Sequence, residues 1–266
     1  MTGERPQHAV PGNGSTRATL PRICVAFSFY RLRHEALALP VADRRRIAEE
    51  FVNTVDAAAD HLGILRAYSL VGTRGDADFL LWQAAEEPEG LQRFAAALRT
   101  AELFALLDRP YHYLAMTRRS MYVDEARRPG ADSRGVTVKP TGSRYLFVYP
   151  FVKTRAWYAL PIAERQRMMD EHIRIGKKYP EIKINTTYSY GLDDQEFVVA
   201  FEGDSPSEFL DLLIELRSSE ASSYTLRDTP SFTAVAQPLG PALELALGIA
   251  QPLPTEAEAE ATVSRA

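Results

Sequence analysis

The chain contains an internal repeat, in which LPVADRRRIAEEF at residues 39–51 matches LPIAERQRMMDEH at residues 160–172. The identical pairs at this separation of 121 residues are Leu39/Leu160, Pro40/Pro161, Ala42/Ala163, Arg44/Arg165, Arg46/Arg167 and Glu50/Glu171. A second series, at a separation of 118 residues, is Phe79/Phe197, Pro88/Pro206, Leu98/Leu216, Arg99/Arg217 and Glu102/Glu220. A repeat limits the possible folds strongly, because one structural unit must then form twice.

Each copy of the repeat predicts the element order β-α-β-β-α-β. In the first copy the predicted elements are strand 22–31, helix 39–62, strands 64–71 and 76–84, helix 88–107 and strand 111–123. In the second copy they are strand 145–152, helix 161–178, strands 182–190 and 195–202, helix 205–219 and strand 226–236. This is the order of a ferredoxin-like unit, so the sequence predicts an α+β protein of two duplicated units, with antiparallel sheets and flanking helices.

Composition shifts set the predicted boundaries of these units. The first repeat is expected at 22–123 and the second at 144–238, with the polar linker 124–143 between them. A C-terminal extension follows at 239–266. Residues 1–21 and the residues from 251 onward lack an apolar pattern and are predicted to be disordered.

Composition also argues against several classes of function. The formal net charge is −4 without a cluster of basic residues, which argues against nucleic acid as a partner. The one cysteine, Cys24, excludes an intrachain disulfide and fits a reducing compartment. No uncharged apolar run reaches the roughly 20 residues of a membrane span, and the start lacks the apolar centre of a signal peptide. We therefore expect a soluble cytoplasmic protein.

The segment 157–179 is predicted to form one amphipathic helix, and its inward stripe contains a histidine. His172 follows Met168 and Met169 by four and three residues, and Gly176, one turn further on, leaves room beside the imidazole. A histidine in such a stripe is ordinarily a core residue whose ring nitrogens are hydrogen-bonded, and this stays the alternative interpretation.

The repeat serves as an internal control for this histidine. Residues that both copies share are explained by the common fold, whereas the fold does not explain a residue type that occurs in only one copy. His172 matches Phe51, an ordinary core residue, and the other differing pairs are Tyr149/Ser28, Lys153/Leu32 and Trp157/Ala36. A histidine, a tyrosine, a lysine and a tryptophan therefore gather in the second copy alone, which indicates a specialised pocket there.

The usual metal and catalytic motifs are missing from the sequence. One cysteine and five scattered histidines give no zinc or iron–sulfur spacing. Asp193 and Asp194 resemble paired catalytic carboxylates, but their position in a hairpin turn favours a role in turn geometry. A lone inward histidine can still bind a metal when a macrocycle supplies the other ligands, as in haem.

Longer stretches resemble a known family. YPFVKTRAWYALPIAERQRMMDEH, IGKKYP, GLDDQEFVVAFE and LRSSEASSY, with VGTRGDADFLLW in the first copy, are similar to the chlorite dismutase-like haem proteins, which include coproheme decarboxylases. The resemblance covers roughly residues 22–238. It implies a dimeric α+β barrel, a ring-shaped homo-oligomer with a pentamer favoured, and haem b or coproheme III bound in the second half.

The resemblance also implies roles for individual residues. His172 is expected to be the axial ligand of the haem iron, and Glu220 to accept the other ring N–H. Because Glu102 holds the same place in the first copy, a structural role for Glu220 remains open. Lys153 is expected to hold a propionate, Trp157 and Met168 to lie beside the porphyrin, and Tyr149 to form the radical that takes hydrogen from a propionate.

One position departs from the chlorite-degrading members. These have an arginine over the iron, seven residues before the GLDD glycine, and here that position is Ile184. An apolar residue cannot stabilise a hypochlorite leaving group. Other branches use a glutamine at this position or a histidine from the linker, and this linker has no histidine.

The predicted function is accordingly that of a haem-dependent oxidoreductase. It is expected to decarboxylate coproheme III to haem b with hydrogen peroxide. The alternatives are a haem-binding protein with weak peroxidase activity and, less favoured, a chlorite-degrading enzyme.

Overall fold

The computed structural model describes residues 22–122 and 138–250 and forms a mixed α+β protein. The first half consists of β1 (Cys24–Leu32), α1 (His34–Ala38), α2 (Val41–Ala58), β2 (Ile64–Ser69), β3 (Phe79–Ala85), α3 (Pro88–Leu98) and β4 (Leu107–Met116). The second half consists of β5 (Tyr145–Lys153), α4 (Arg155–Ala159), α5 (Ile162–Gly176), β6 (Lys183–Tyr188), β7 (Phe197–Gly203), α6 (Pro206–Arg217), β8 (Thr225–Arg227) and β9 (Phe232–Ala236), and α7 (Leu239–Ala246) follows. Short 3₁₀ helices lie at Ala59–His61, Glu102–Leu106 and Glu220–Tyr224. The predicted tail 1–21, most of the linker and the residues from 251 lie outside the described residues.

Prolines divide elements that the sequence predicted as continuous. The predicted helix 157–179 is wrong at its start, since α4 ends at Ala159 and Pro161 is the N-cap of α5. A proline has no N–H to donate and disfavours a helical residue before it, so the chain turns at Leu160 and starts a second helix. Pro40 divides α1 from α2 in the same way.

Three further predicted elements have other bounds than expected. Strand 111–123 is displaced toward the N-terminus, since β4 covers Leu107–Met116. Helix 88–107 ends at Leu98 and resumes as a 3₁₀ helix from Glu102. Strand 226–236 is interrupted between β8 and β9, at a segment that contains Pro230.

The strands form one antiparallel sheet that closes on itself. Its order is β7-β6-β4-β1-β3-β2-β9-β5-β8, and β7 also pairs with β5. The two halves meet at two short seams: β4 pairs with β6 at Met116–Tyr188, and β2 pairs with β9 at Tyr68–Ala236 and the adjacent pair. A closed ring of strands with helices outside it is the architecture that carries the candidate site.

The apolar core has a layer inside the ring and layers outside it. Side chains of both halves meet inside, among them Phe29, Trp82, Val148 and Phe232. These alternate with residues that point outward toward the helices, as the period of two in a strand requires.

The two outer layers differ in how fully they are packed. In the first half α2, α3 and α7 cover the sheet in one large cluster that includes Phe51 and Val55. In the second half the buried residues divide into two smaller clusters, one around Tyr149 and one around Trp157. On α5 only Met168 and Ile175 are buried, whereas α2 buries five residues.

Within residues 22–122 and 138–250, no helix combines the length and the apolar character needed to cross a bilayer.

Candidate functional site

Tyr149 and Lys153 lie on the outer face of the second-half sheet. Both residues are on β5, which has a register shift between Val152 and Lys153, so contacts decide where the lysine lies. Lys153 Nζ is 5.3 Å from the ring of Phe151, which packs against the cluster that contains Tyr149. Tyr149 is buried and packs with Ile175 of α5 and with α6. Burial raises the pKa of the Tyr149 phenol, with a further increase from Asp228 and an opposing effect of Arg217. The phenol is therefore protonated at neutral pH.

Lys153 is a buried cation enclosed by aromatic rings. Its Nζ donates to the carbonyl oxygen of Ala221 at 2.6 Å and lies 4.6 Å from the ring centroid of Trp157 and 5.3 Å from that of Phe151. Burial lowers the pKa of Lys153 to about 8, and the charge of Glu196 opposes that decrease. The ammonium is thus held where a ligand carboxylate could compensate its charge.

Trp157 and Met168 are buried against each other and against Ala221. The Trp157 ring lies 5.5 Å from the ring of Tyr224 and 6.2 Å from that of Tyr122. The structure therefore brings Lys153, Trp157 and Met168 together, as predicted for residues of one pocket, while their contact with a cofactor remains a prediction.

His172 lies on α5 and is half-buried. Its ring forms no hydrogen bond with any described residue, so the alternative of a core histidine satisfied by a carbonyl has no support here. Burial lowers the pKa of His172 to about 4, the charge of Lys153 lowers it further, and Glu171 opposes both. At neutral pH the imidazole is neutral and has a nitrogen lone pair available for a metal.

Comparison with the first half shows space beside this histidine. Phe51, the match of His172, is fully buried, and Val55, the match of Gly176, is 2% exposed. A Cβ added to Gly176 would meet nothing within 4 Å. A neutral unbonded imidazole, open space beside it and a buried cation on the facing strand fit a flat anionic ligand bound through a metal, as an iron porphyrin is.

Ile184 lies on the same outer face, two strands from β5. It pairs with Phe201 of β7, which pairs with Phe147 of β5, and the Phe201 ring lies 6.1 Å from that of Tyr149. The side chain is 54% exposed. Its apolar side chain can neither donate a hydrogen bond nor carry a charge, and its place beside a bound cofactor remains a prediction.

Glu220 is not hydrogen-bonded to His172. Its two carboxylate oxygens accept from Arg167, each at 2.9 Å, in an exposed bidentate pair. In the first half Arg46 pairs with Glu102 in the same bidentate way. Because both halves form this arginine–glutamate ion pair, a structural role for Glu220 is favoured over a role as hydrogen-bond partner of His172.

A buried network around Glu196 was missed in the sequence. Glu196 Oε2 accepts the backbone N–H of Lys153 at 2.8 Å and the hydroxyl of Tyr158 at 2.5 Å. The Tyr158 and Tyr190 hydroxyls are 2.6 Å apart. The signal available in the sequence is the match of Glu196 with Asp78 at the separation of 118 residues.

The predicted turn role of Asp193 agrees with its contacts. Its Oδ2 accepts the backbone N–H of Leu114 at 2.7 Å and the amide of Gln195 at 2.9 Å, and its Oδ1 accepts the N–H of Asp194. No group of three or more His, Cys, Asp and Glu side chains among the described residues could hold a metal ion.

The fold and the site define a class of protein: an α+β ring of strands with a half-buried histidine on helix α5 and open space at Gly176 one turn further on, where the matching half has the core residues Phe51 and Val55. The chlorite dismutase family model matches residues 44–237, and the chain belongs to this family.

The coproheme decarboxylase of Mycolicibacterium smegmatis is 31% identical over 193 residues, which cover 72% of this chain and 81% of that protein. The coproheme decarboxylase of Staphylococcus carnosus is 32% identical over 211 residues, 73% of this chain and 84% of that one. The chlorite dismutase of Ideonella dechloratans is 23% identical over 239 residues, 88% and 84% of the two chains.

Solved structures agree on the fold. A mutant chlorite dismutase of Candidatus Nitrospira defluvii superimposes with a TM-score of 0.75 at 23% identity and covers 85% of this chain and 95% of its own. A haem-binding protein of Thermus thermophilus gives a TM-score of 0.73 at 25% identity with the same coverage. Family membership and these relatives support a haem-dependent function.

Proposed function

We propose that the protein is a haem-dependent oxidoreductase that converts coproheme III to haem b with hydrogen peroxide. The observation that carries the proposal is the contrast between the halves: Phe51 and Val55 are buried in the first half, while in the second His172 is half-buried and Gly176 has open space beside it. The two coproheme decarboxylases at 31% and 32% identity support the choice of substrate.

The residues present can be given distinct roles at this site. The neutral imidazole of His172 would hold the iron, and the Lys153 ammonium would hold a propionate. Trp157 and Met168 would supply apolar walls, with Ile184 on the opposite side. When bound, the iron porphyrin supplies the redox chemistry with peroxide.

Tyr149 is the group we assign to the reacting propionate. Its buried, protonated phenol lies four residues before Lys153 on β5, so the lysine could position a propionate against it. After losing a hydrogen atom, the phenol would take one from the propionate β-carbon. In balance, each propionate with one peroxide and one proton gives a vinyl group, carbon dioxide and two waters.

Ile184 favours this reaction over chlorite degradation. Its exposed apolar side chain offers no donor to an oxyanion, and the neighbouring Asn185 is engaged with Glu202 at 3.1 Å. Ile184 also cannot act as a base toward peroxide, and this supports a second candidate, a haem-binding protein with weak peroxidase activity.

One assay separates the two candidates. Purified apoprotein is mixed with coproheme III, peroxide is added in steps, and the porphyrin mass is followed. Loss of carboxyl groups in two steps is expected. Porphyrin that stays intact through many equivalents of peroxide contradicts the decarboxylase and leaves the binding protein.

We also propose that the halves arose by duplication and that their closed ring is a dimeric α+β barrel. Copies would assemble into a cytoplasmic homo-oligomer, with a pentamer favoured. Exposed apolar residues outside the site, among them Leu210, Ile214 and Leu226, support association. Light scattering on the purified protein gives its mass in solution.

A further inference from the structure

Both halves hold the end of their first strand with an acidic side chain. In the first half Asp78 Oδ2 accepts the backbone N–H of Leu32 at 2.7 Å. In the second half Glu196 Oε2 accepts the backbone N–H of Lys153 at 2.8 Å. Leu32 and Lys153 are matching positions of the repeat, as are Asp78 and Glu196. This hydrogen bond between a strand end and an acidic side chain, called the clasp below, is therefore common to both halves.

The second half adds two phenols to the shared clasp. Tyr158 donates to Glu196 Oε2, and its hydroxyl is also 2.6 Å from that of Tyr190. The first-half matches are Leu37, which is exposed, and Gly72, so neither can bind Asp78 in this way. The two halves share one fold, so the fold alone does not explain a feature that is present in only one of them. The same comparison drew attention to His172.

The added phenols tie a helix to the carboxylate. Tyr158 follows Trp157 on α4, and the Trp157 ring lies 4.6 Å from Lys153 Nζ. One buried oxygen of Glu196 therefore fixes both the backbone of Lys153 and the helix whose tryptophan covers the lysine side chain. The other oxygen lies 3.7 Å from the exposed guanidinium of Arg155.

Charge gives Glu196 a second effect on Lys153. A buried ammonium loses the hydration that stabilises its charge, and the nearby carboxylate offsets part of that cost. Among the described residues, the charge of Glu196 acts on Lys153, and the charges of Lys153 and Glu171 act on His172 of α5. Tyr158 and Arg155 of α4 and Tyr190 of the β6–β7 hairpin lie against Glu196 or its partner hydroxyl. Glu220 and Tyr224 belong to the 3₁₀ helix whose Ala221 accepts from Lys153 Nζ. Of these, Glu196 is the buried acid, while Glu220 is engaged with Arg167.

We propose that Glu196 is a positioning residue for Lys153: its carboxylate fixes the strand end and, through Tyr158, the helix that carries Trp157, and its charge compensates the lysine ammonium that receives a porphyrin propionate. The inference rests on the proposed function, because it assumes that Lys153 binds a propionate.

The test uses iron-free coproporphyrin III, which has four propionates and does not depend on iron ligation by His172. Its affinity for the apoprotein is titrated by fluorescence from about pH 6 to about pH 9.5. In the wild type the affinity should fall near pH 8, where Lys153 loses its proton. In Lys153→Met the affinity should be low and should not change over this range.

Glu196→Gln keeps an oxygen for both hydrogen bonds but removes the charge. The fall in affinity should then shift to lower pH. A lysine pKa lower by about one unit reduces the affinity about twofold at about pH 7 and close to tenfold at about pH 9, where the protonated fraction follows the pKa directly. Tyr158→Phe should weaken binding without shifting the pH dependence, because the charge remains. Asp78→Asn is the matched control in the first half and should leave the affinity profile unchanged.

The outcomes separate the two proposals. A wild type that does not bind coproporphyrin, or a Lys153→Met variant that binds as the wild type does, contradicts the role of Lys153 in the proposed function. If those two proteins behave as expected and Glu196→Gln retains the wild-type profile, only the role of Glu196 is overturned. A shift of the same size in Asp78→Asn would also overturn it, since the effect would then belong to the fold.

Discussion

Replacing His172 with phenylalanine, the residue at the matching position 51, should remove a specific acid sensitivity from the apoprotein. The folded-state pKa of His172 is about 4, against an ordinary value of 6.5. The unfolded chain therefore takes up this proton first as the pH falls. The stabilisation due to the neutral ring is complete above pH 6.5 and is lost progressively as the pH approaches 4.

The size of the effect follows from the same two values. A difference of 6.5 minus 4, at about 1.36 kcal/mol per pKa unit, gives an upper limit of about 3 kcal/mol for this histidine. Phenylalanine does not titrate, so His172→Phe should lack this component. The variant should also lose axial ligation of added iron porphyrin, seen as a change in the Soret band.

Urea unfolding of both apoproteins between about pH 7.5 and about pH 4.5 measures the difference. Other groups titrate in both proteins, and subtracting the two pH dependences removes their contribution. His61→Phe changes an exposed histidine and should keep the wild-type pH dependence. If wild type and His172→Phe lose stability in parallel down to about pH 4.5, the histidine is not buried as described and the reasoning fails.

Three further predictions concern residues of the second half. Gly176→Ala should raise the free energy of unfolding by up to about 1 kcal/mol, because alanine favours the helix, and yet weaken porphyrin binding by filling the space beside the ring; tighter binding would contradict this. Tyr149→Phe should cost less than about 1 kcal/mol, retain coproheme binding and abolish decarboxylation, and wild-type turnover measured by mass spectrometry would make the tyrosine a packing residue. Glu220→Gln and Glu102→Gln should lower the unfolding temperature by similar amounts and leave the Soret band of the iron porphyrin complex unchanged. A spectral change in the first variant alone would give Glu220 the role beside His172.

The sequence predicted the fold class well because its signals are local and occur twice. Strand alternation, helical stripes and turn residues set the element order in each half. The closure of the sheet could not be read in this way, since the pairing of β5 with β7 depends on how remote strands meet. Periodicity states which face of a strand is buried and does not state which strand lies beside it.

The candidate site was predictable to the extent that the repeat supplied a comparison. The differences at Tyr149, Lys153, Trp157 and His172 were visible as differences of residue type. The sequence could not show which residue each side chain binds, because several residues close in space compete for the same carboxylate. Glu220 was expected to bind His172, but in the structure its carboxylate is hydrogen-bonded to the guanidinium of Arg167.

The short seams of the ring have a mechanical consequence. At the seam between β4 and β6, side chains of the second half replace the missing backbone pairs, since Asp193 accepts the N–H of Leu114 and Ser189 donates to its carbonyl oxygen. A ladder of backbone hydrogen bonds cannot be removed by point mutation, because every residue supplies the same groups. The side-chain hydrogen bonds of this seam can be removed by point mutation. Asp193→Ala should make the Leu114 amide exchange faster with solvent, while the backbone ladders within each half stay protected. One of the two seams between the halves therefore depends on side chains that a single substitution can remove, while the β2–β9 seam and the shared inner core remain.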